Sequence, residues 1–419
     1  MLKINKKYFH IFFALVFYCI FRICIIYNCK ALFQYLHFEE EFSSFYFIKE
    51  WFGFSQIFNF YFNAEYHSLF GANVIGAIYS IWANVFGNGY WQARILAICI
   101  SSFSLLFLLL SFDNFKLLPK YFYFYFIAFI WAFIPYQLSY STYFLSGNID
   151  FYVVLFFMNF YFVSLLLRNS AVKFGSFFYI VAFSITSILL FQGNYFIVLF
   201  NILCFFIFYD KSKILEFCKN NLLKILAGCC IFIILLFLNI KFILFSVKKL
   251  LSYLSIPNIL DSSINEMLFF LKEKIISGYL YYLPLSLLPS QFVYDYLNTK
   301  IYFYLFHLLF GFILFLIVFS YKTEKNQILK KLYFLFFSFS IGSLIISLAL
   351  MPIECVFPLP MFIEKKFHFV YFDKLRYIYP FFYSFFAVVI FMIFRNIFKI
   401  QILKFNVNLL LFAFCLVFI

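Results

Sequence analysis

The chain has 419 residues, of which 66% are hydrophobic and only 12% charged, with a mean hydropathy of +0.98. Soluble domains average roughly 45–50% apolar and about 25% charged residues, and their surface-to-volume ratio leaves no room to hide this excess, so a water-soluble fold is excluded. The net charge of +15 is no sign of nucleic acid, because most Lys and Arg lie in short gaps between apolar runs, where membrane topology places them.

In chain order, the expected spans are 8–26, 95–112, 121–140, 151–167, 174–190, 195–209, 222–245, 301–320, 332–350, 379–394 and 405–419. Each approaches the roughly 20 apolar residues needed to cross a bilayer, giving an all-α polytopic bundle of about eleven helices. Residues 1–26 start basic and continue apolar like a signal peptide. They lack an A-x-A cleavage site, and the apolar run is too long, so they read as an uncleaved first span. No internal repeat or linker breaks the chain, so 1–419 reads as one transmembrane domain.

Charge sets the expected orientation. Lys3, Lys6 and Lys7 place the N-terminus in the cytoplasm of a plasma or bacterial inner membrane. Alternation then puts Lys116 and Lys120, Arg168 and Lys173, Lys211 to Lys224, Lys322 to Lys331, and Arg395 to Lys404 on the same side. The outward segments 27–94, 246–300 and 351–378 are longer and less basic per residue. This holds only if the apolar stretch 69–86 does not cross; it carries Asn73, Asn84 and two glycines, and reads as a juxtamembrane helix.

Several residues resist a purely structural reading. His37-Phe38-Glu39-Glu40-Glu41-Phe42 places three carboxylates beside a span end, in a chain with only 17 acidic residues. Such a cluster is either a solvated acidic loop or a site that binds a cation or takes a proton. An amphipathic stretch follows over 45–54. Asp150, in Ser146-Gly147-Asn148-Ile149-Asp150, stands at the outer mouth of two spans. It either favours the N-terminal dipole of the next helix or serves chemistry on the side that carries Glu40. Arg94, Lys374 and Arg376, all outward, either anchor the interface or hold a phosphate. His67 flanks the acidic loop, and the five His show no metal-ligand spacing. The ten Cys fall mostly inside apolar runs and pair in no redox or zinc motif. No P-loop, GxSxG, HExxH or GxGxxG motif occurs.

The order of these features resembles the GT-C superfamily of glycosyltransferases that use polyprenyl-phosphate sugars, in particular the branch similar to bacterial protein mannosyltransferases and lipid A aminoarabinose transferases. The resemblance runs through Glu40-Glu41, the helix at Lys49-Glu50-Trp51-Phe52, Val85-Phe86-Gly87 followed by Arg94, and Asp150 after Tyr140-Ser141-Thr142-Tyr143. It continues through Phe191-Gln192-Gly193-Asn194, Tyr281-Tyr282 to Pro289, and Lys374 to Pro380 with Tyr377. The chain departs from the pattern by opening its acidic pair with Glu, by lacking a Pro after His67, and by lacking Lys in the glycine turn.

The resemblance implies a sugar donor whose phosphate stays in the membrane and an acceptor that is a lipid, a glycan or a protein. Glu40 is then the base that takes the acceptor proton. Glu41 and Asp150 position the acceptor or hold a divalent cation, with metal dependence left open. Arg94, Lys374, Arg376, Tyr377 and His67 line the donor side, where cations stabilise the leaving phosphate. A flippase of lipid-linked saccharide is the alternative, as is a polysaccharide polymerase or ligase. A flippase calls for repeats and intramembrane charge, and charge within the spans, away from their ends, is limited to Arg22 and Lys241.

Overall fold

The structure is a computed structural model. It describes residues 6–28, 81–82, 84–87, 90–117, 121–132, 147–168, 195–208, 296–350 and 379–397, with scattered residues between 219 and 279. Among them the chain is almost entirely helical and no strand occurs. In hydrocarbon each peptide group must be hydrogen-bonded within the protein, and the α-helix achieves this within one segment. We label the helices α1 (Lys6–Asn28), α2 (Tyr90–Asn114), α3 (Phe122–Ala132), α4 (Gly147–Arg168), α5 (Tyr195–Phe208), α6 (Tyr296–Thr323), α7 (Gln327–Leu350) and α8 (Tyr379–Ile397).

Four of the described helices contain stretches long and apolar enough to cross a membrane: Lys6–Ile25, Arg94–Asn114, Tyr304–Thr323 and Gln327–Ala349. Shorter apolar helices cover Phe122–Ala132, Val153–Leu165, Phe196–Phe208 and Tyr383–Met392. The expected spans 174–190 and 405–419, and nearly all of 222–245, lie outside the described residues.

The chain forms two compact units, residues 1–239 with 390–419, and residues 240–389. In the first unit, α1 packs on α2 and α3, and α2 packs on α4 along much of its length. Directions follow from named contacts. Lys7 pairs with Asp113, and Tyr18 meets Ser101, so α1 and α2 run antiparallel. His10 stacks on Tyr121, and Arg22 reaches Ala132, so α3 runs parallel to α1. Trp131 bridges Ser104 and Phe157, while Asn114 donates to Ser164, so α4 runs parallel to α2.

Several polar groups inside this unit are paired helix to helix. Asn159 and Asn201 exchange two amide hydrogen bonds of 2.9 and 3.1 Å between α4 and α5. Such interhelical bonds add to the packing that holds helices together in lipid. The end of α2 is closed by a Schellman motif. The Leu117 N–H donates to the Phe112 carbonyl and the Lys116 N–H to that of Asp113, with Lys116 left-handed at φ 56°. Phe112 and Leu117, which flank this turn, are both buried.

The second unit contains α6, α7 and the start of α8. Asn326 caps α7, its side-chain oxygen accepting from the N–H groups of Ile328 and Leu329. Pro380 sits in the first turn of α8, where its missing N–H costs no helical bond. Ser340 on α7 and Ser384 on α8 are 3.0 Å apart. On α6, Phe306, Phe310, Ile313 and Ile317 form the buried stripe, while Tyr304, Leu308, Phe312, Phe315 and Phe319 form an exposed one. A continuous exposed stripe of large apolar side chains suits lipid and not water.

Candidate functional site

The residues expected to carry chemistry fall in two groups. Glu40, Glu41, His67, Lys374, Arg376 and Tyr377 lie outside the described residues. Arg94 and Asp150 lie inside them, both in the first unit.

Arg94 stands near the start of α2 and is 3% exposed. The turn leading to it is built from aromatic residues. The short helical stretch through Val85 and Phe86 ends at Gly87, whose φ of +92° is a conformation L side chains rarely adopt. The Trp82 ring lies 4.1 Å from that of Phe86, and its indole N–H donates to the Gln92 carbonyl at 2.8 Å. This bond ties the turn to the first turn of α2. The sequence singled out Phe86, Gly87 and Arg94 but not Trp82. A lone indole eight residues before a helix start has no periodic signal to mark it.

Asp150 does not sit in a loop before the helix. It closes the first turn of α4, which begins at Gly147 rather than at 151. Hydropathy stops where apolar side chains stop, but the backbone ladder continues through Asn148 and Asp150. A carboxylate in a first turn is favoured by the helix dipole.

The helix directions bring Arg94 and Asp150 to the same end of the unit. The pairs Ser104/Phe157, bridged by Trp131, and Asn114/Ser164 set the register of α2 against α4. That register places Asp150 level with residues 97–100 of α2, roughly 5–9 Å along the axis from Arg94 at 1.5 Å per residue.

A third charged residue shares this end. Arg22 is fully buried (0% exposed), on the α1 stripe formed by Ile11, Ala14 and Tyr18. Its guanidinium donates to the Ala132 carbonyl at the end of α3, at 3.3 Å. From the sequence it was visible only as a charge inside a span. Its four-residue spacing from Tyr18 was the signal that it faces inward.

The opposite end holds the paired Lys7 and Asp113, then Lys116 and Arg168. Among the described residues no group of three His, Cys, Asp or Glu side chains could hold a metal ion. Compared with protein-family models, with curated proteins and with solved structures, the chain matches none.

Proposed function

We propose that the protein is a membrane glycosyltransferase of GT-C type that moves a sugar from a polyprenyl-phosphate donor to an acceptor at the outer face of the membrane. In this reading the fold is the bundle of about eleven helices that hydropathy predicts, with juxtamembrane helices in the segment before α2.

One observation supports it most. Because α1 and α2 are antiparallel, the segment that carries Glu40 and Glu41 leaves and rejoins the unit at one end. It is the end of Arg94 and Asp150, opposite Lys7, Lys116 and Arg168. In this reading the segment 29–89 makes no net crossing. The excess of Lys and Arg in the sequence segments at the Lys7 end agrees with a cytoplasmic N-terminus.

The proposed steps use this chain's own groups. Glu40 takes the proton of the acceptor hydroxyl as its oxygen attacks the anomeric carbon. The bond from that carbon to the phosphate oxygen breaks, and the charge gained by the leaving phosphate is stabilised by Arg94, Lys374 and Arg376. Tyr377 and His67 line the donor. Asp150 and Glu41 position the acceptor, or hold a divalent cation if one takes part. The polyprenyl tail stays in lipid throughout, so no soluble nucleotide-binding domain is needed.

The test is sugar transfer by the purified chain, reconstituted in lipid, from a radiolabelled polyprenyl-phosphate hexose or pentose. Release of polyprenyl phosphate that depends on Glu40 supports the proposal. Movement of the intact lipid-linked saccharide between leaflets, with the sugar still attached, replaces it with a flippase.

A further inference from the structure

The turn between α6 and α7 is strongly basic. Over residues 321–331 it holds four lysines, Lys322, Lys325, Lys330 and Lys331, against one acid, Glu324. The acid is buried, at 4% exposure, and its carboxylate accepts the Asn326 N–H at 3.0 Å. Lys322, Lys325 and Lys331 are exposed. Asn326 in turn caps α7, so the charge is displayed on a turn of defined shape.

A basic excess on one side of a membrane needs no particular geometry. The arrangement here has one. Lys330, in the first turn of α7, places its Nζ 5.1 Å from the centroid of the Tyr321 ring on α6. Phe334, one turn further along α7, brings its ring to 6.3 Å from the same tyrosine. The ammonium is thus held over an aromatic face, and Lys330 and Phe334 share one face of α7 at i and i+4.

An apolar seam leads away from this cluster. On α6, Leu314 and Val318 precede Tyr321 by seven and three residues and so share its stripe. On α7, Ile341 follows Phe334 by seven residues, nearly two turns. Tyr321 near the end of α6 meets Lys330 near the start of α7, so the two helices run antiparallel and the two stripes continue side by side. Leu314, Tyr321 and Ile341 are half-buried, and Val318 and Phe334 are exposed. The seam is partly open, and it begins beneath an ordered cation.

We infer that this seam binds one phospholipid with an anionic headgroup, from the leaflet that meets the α6–α7 turn. Its phosphate lies against Lys330, with Lys322 and Lys325 nearby, and one acyl chain lies along the seam. Charge complementarity selects the headgroup. Four or more basic residues beside a membrane helix attract anionic lipids, and each contributes about fivefold in affinity near the surface. The seam selects a lipid over a soluble anion, because only a molecule with a chain gains by covering it. The inference is independent of the proposed function and of its residues.

The purified full chain, stripped of lipid in a neutral detergent, is titrated with phosphatidylglycerol, phosphatidylcholine and glycerol phosphate. Native mass spectrometry counts the bound molecules. Phosphatidylglycerol should fill one site at least tenfold more tightly than phosphatidylcholine. Lys330→Gln and Tyr321→Leu should each weaken that site about fivefold. Lys6→Gln, which removes an exposed charge at the start of α1, should leave it unchanged. Equal affinity for the two lipids overturns the inference, as does unchanged binding in either seam variant. An equal loss in Lys6→Gln reduces the effect to overall charge and also overturns it. Glycerol phosphate binding as tightly as phosphatidylglycerol assigns the turn to a soluble anion and removes the lipid. If the seam variants do not fold, wild-type chain is photolabelled with phosphatidylglycerol carrying a diazirine in its acyl chain. Crosslinks within 314–321 or 334–341 support the site, and crosslinks confined to other segments overturn it.

Discussion

The hydroxyl of Tyr18 on α1 lies 2.9 Å from that of Ser101 on α2, and the Ser101 hydroxyl also donates to the Ile98 carbonyl. The Tyr18–Ser101 contact fixes the register of the two helices and so the relative height of Arg22 and Arg94. Hydrogen bonds between membrane helices average about 0.6 kcal/mol. Tyr18→Phe should therefore destabilise only slightly, and Ser101→Ala should add almost nothing in its presence. A double-mutant cycle on unfolding in mixed micelles measures the coupling. A coupling of zero would show that packing alone sets the register.

The Asn159–Asn201 pair should behave more severely. Removing one amide breaks both hydrogen bonds of this buried pair, at a cost of up to about 1–3 kcal/mol. Asn159→Ala should destabilise by that amount. Replacing both residues by Leu should recover most of the loss, because no orphaned polar group remains. Equal losses in the single and double variants would mean that shape, not hydrogen bonding, carries the contact.

Lys116 holds a left-handed conformation at the end of α2. That conformation costs an L residue roughly 1–2 kcal/mol and costs glycine almost nothing. Lys116→Gly should raise stability by about 1 kcal/mol less whatever the lysine charge contributes. Thermal melting of the variant in detergent checks the sign.

Topology is tested by single cysteines in a background free of native Cys. Positions 116 and 150 should react with an impermeant thiol reagent from opposite faces, position 150 from outside. Labelling of both from one face contradicts the parallel packing of α2 and α4 as membrane-crossing elements.

Among the carboxylates, Glu40→Gln should lower sugar transfer by about two to four orders of magnitude, the usual cost of losing a general base. Glu39→Gln should retain much of the activity, and Asp150→Asn should be severely impaired. All three need matched expression and melting. Wild-type turnover in all of them would remove the proposed mechanism.

Among the described residues, element positions were largely legible in the sequence, because a run of apolar residues bounded by charge leaves a membrane chain few choices. The expected spans 8–26, 301–320 and 332–350 meet α1, α6 and α7, each of which runs on beyond the apolar run at its N-terminal end. The extensions pass through residues such as Lys6, Asn298 and Gln327. These are polar in side chain but ordinary in backbone, so hydropathy cannot see them. Asp150 was placed outside its helix for the same reason. The interior pairings were not legible: nothing in a single sequence says that Asn159 seeks Asn201, or that Tyr18 seeks Ser101. Arg22 was noticed as a charge, but that it shares an end with Arg94 depends on the antiparallel register, which is a property of two helices together.

The position of Arg22 also bears on how the protein is made. The first helix emerges from the ribosome before α2 and α3 exist, so the Ala132 carbonyl is absent when Arg22 first meets lipid. An arginine at the centre of a lone inserting helix costs about 2.5–3.5 kcal/mol on translocon scales, and less nearer the end, where Arg22 lies. The Phe, Ile and Leu residues of α1 offset that cost during insertion. A long side chain near a helix end can keep its charge at the headgroups, whereas in the assembled unit the Arg22 guanidinium is buried and bonded to the Ala132 carbonyl. The first helix is thus held in place by its greasy face alone until its partners are synthesised, and its polar stripe takes on meaning only afterwards.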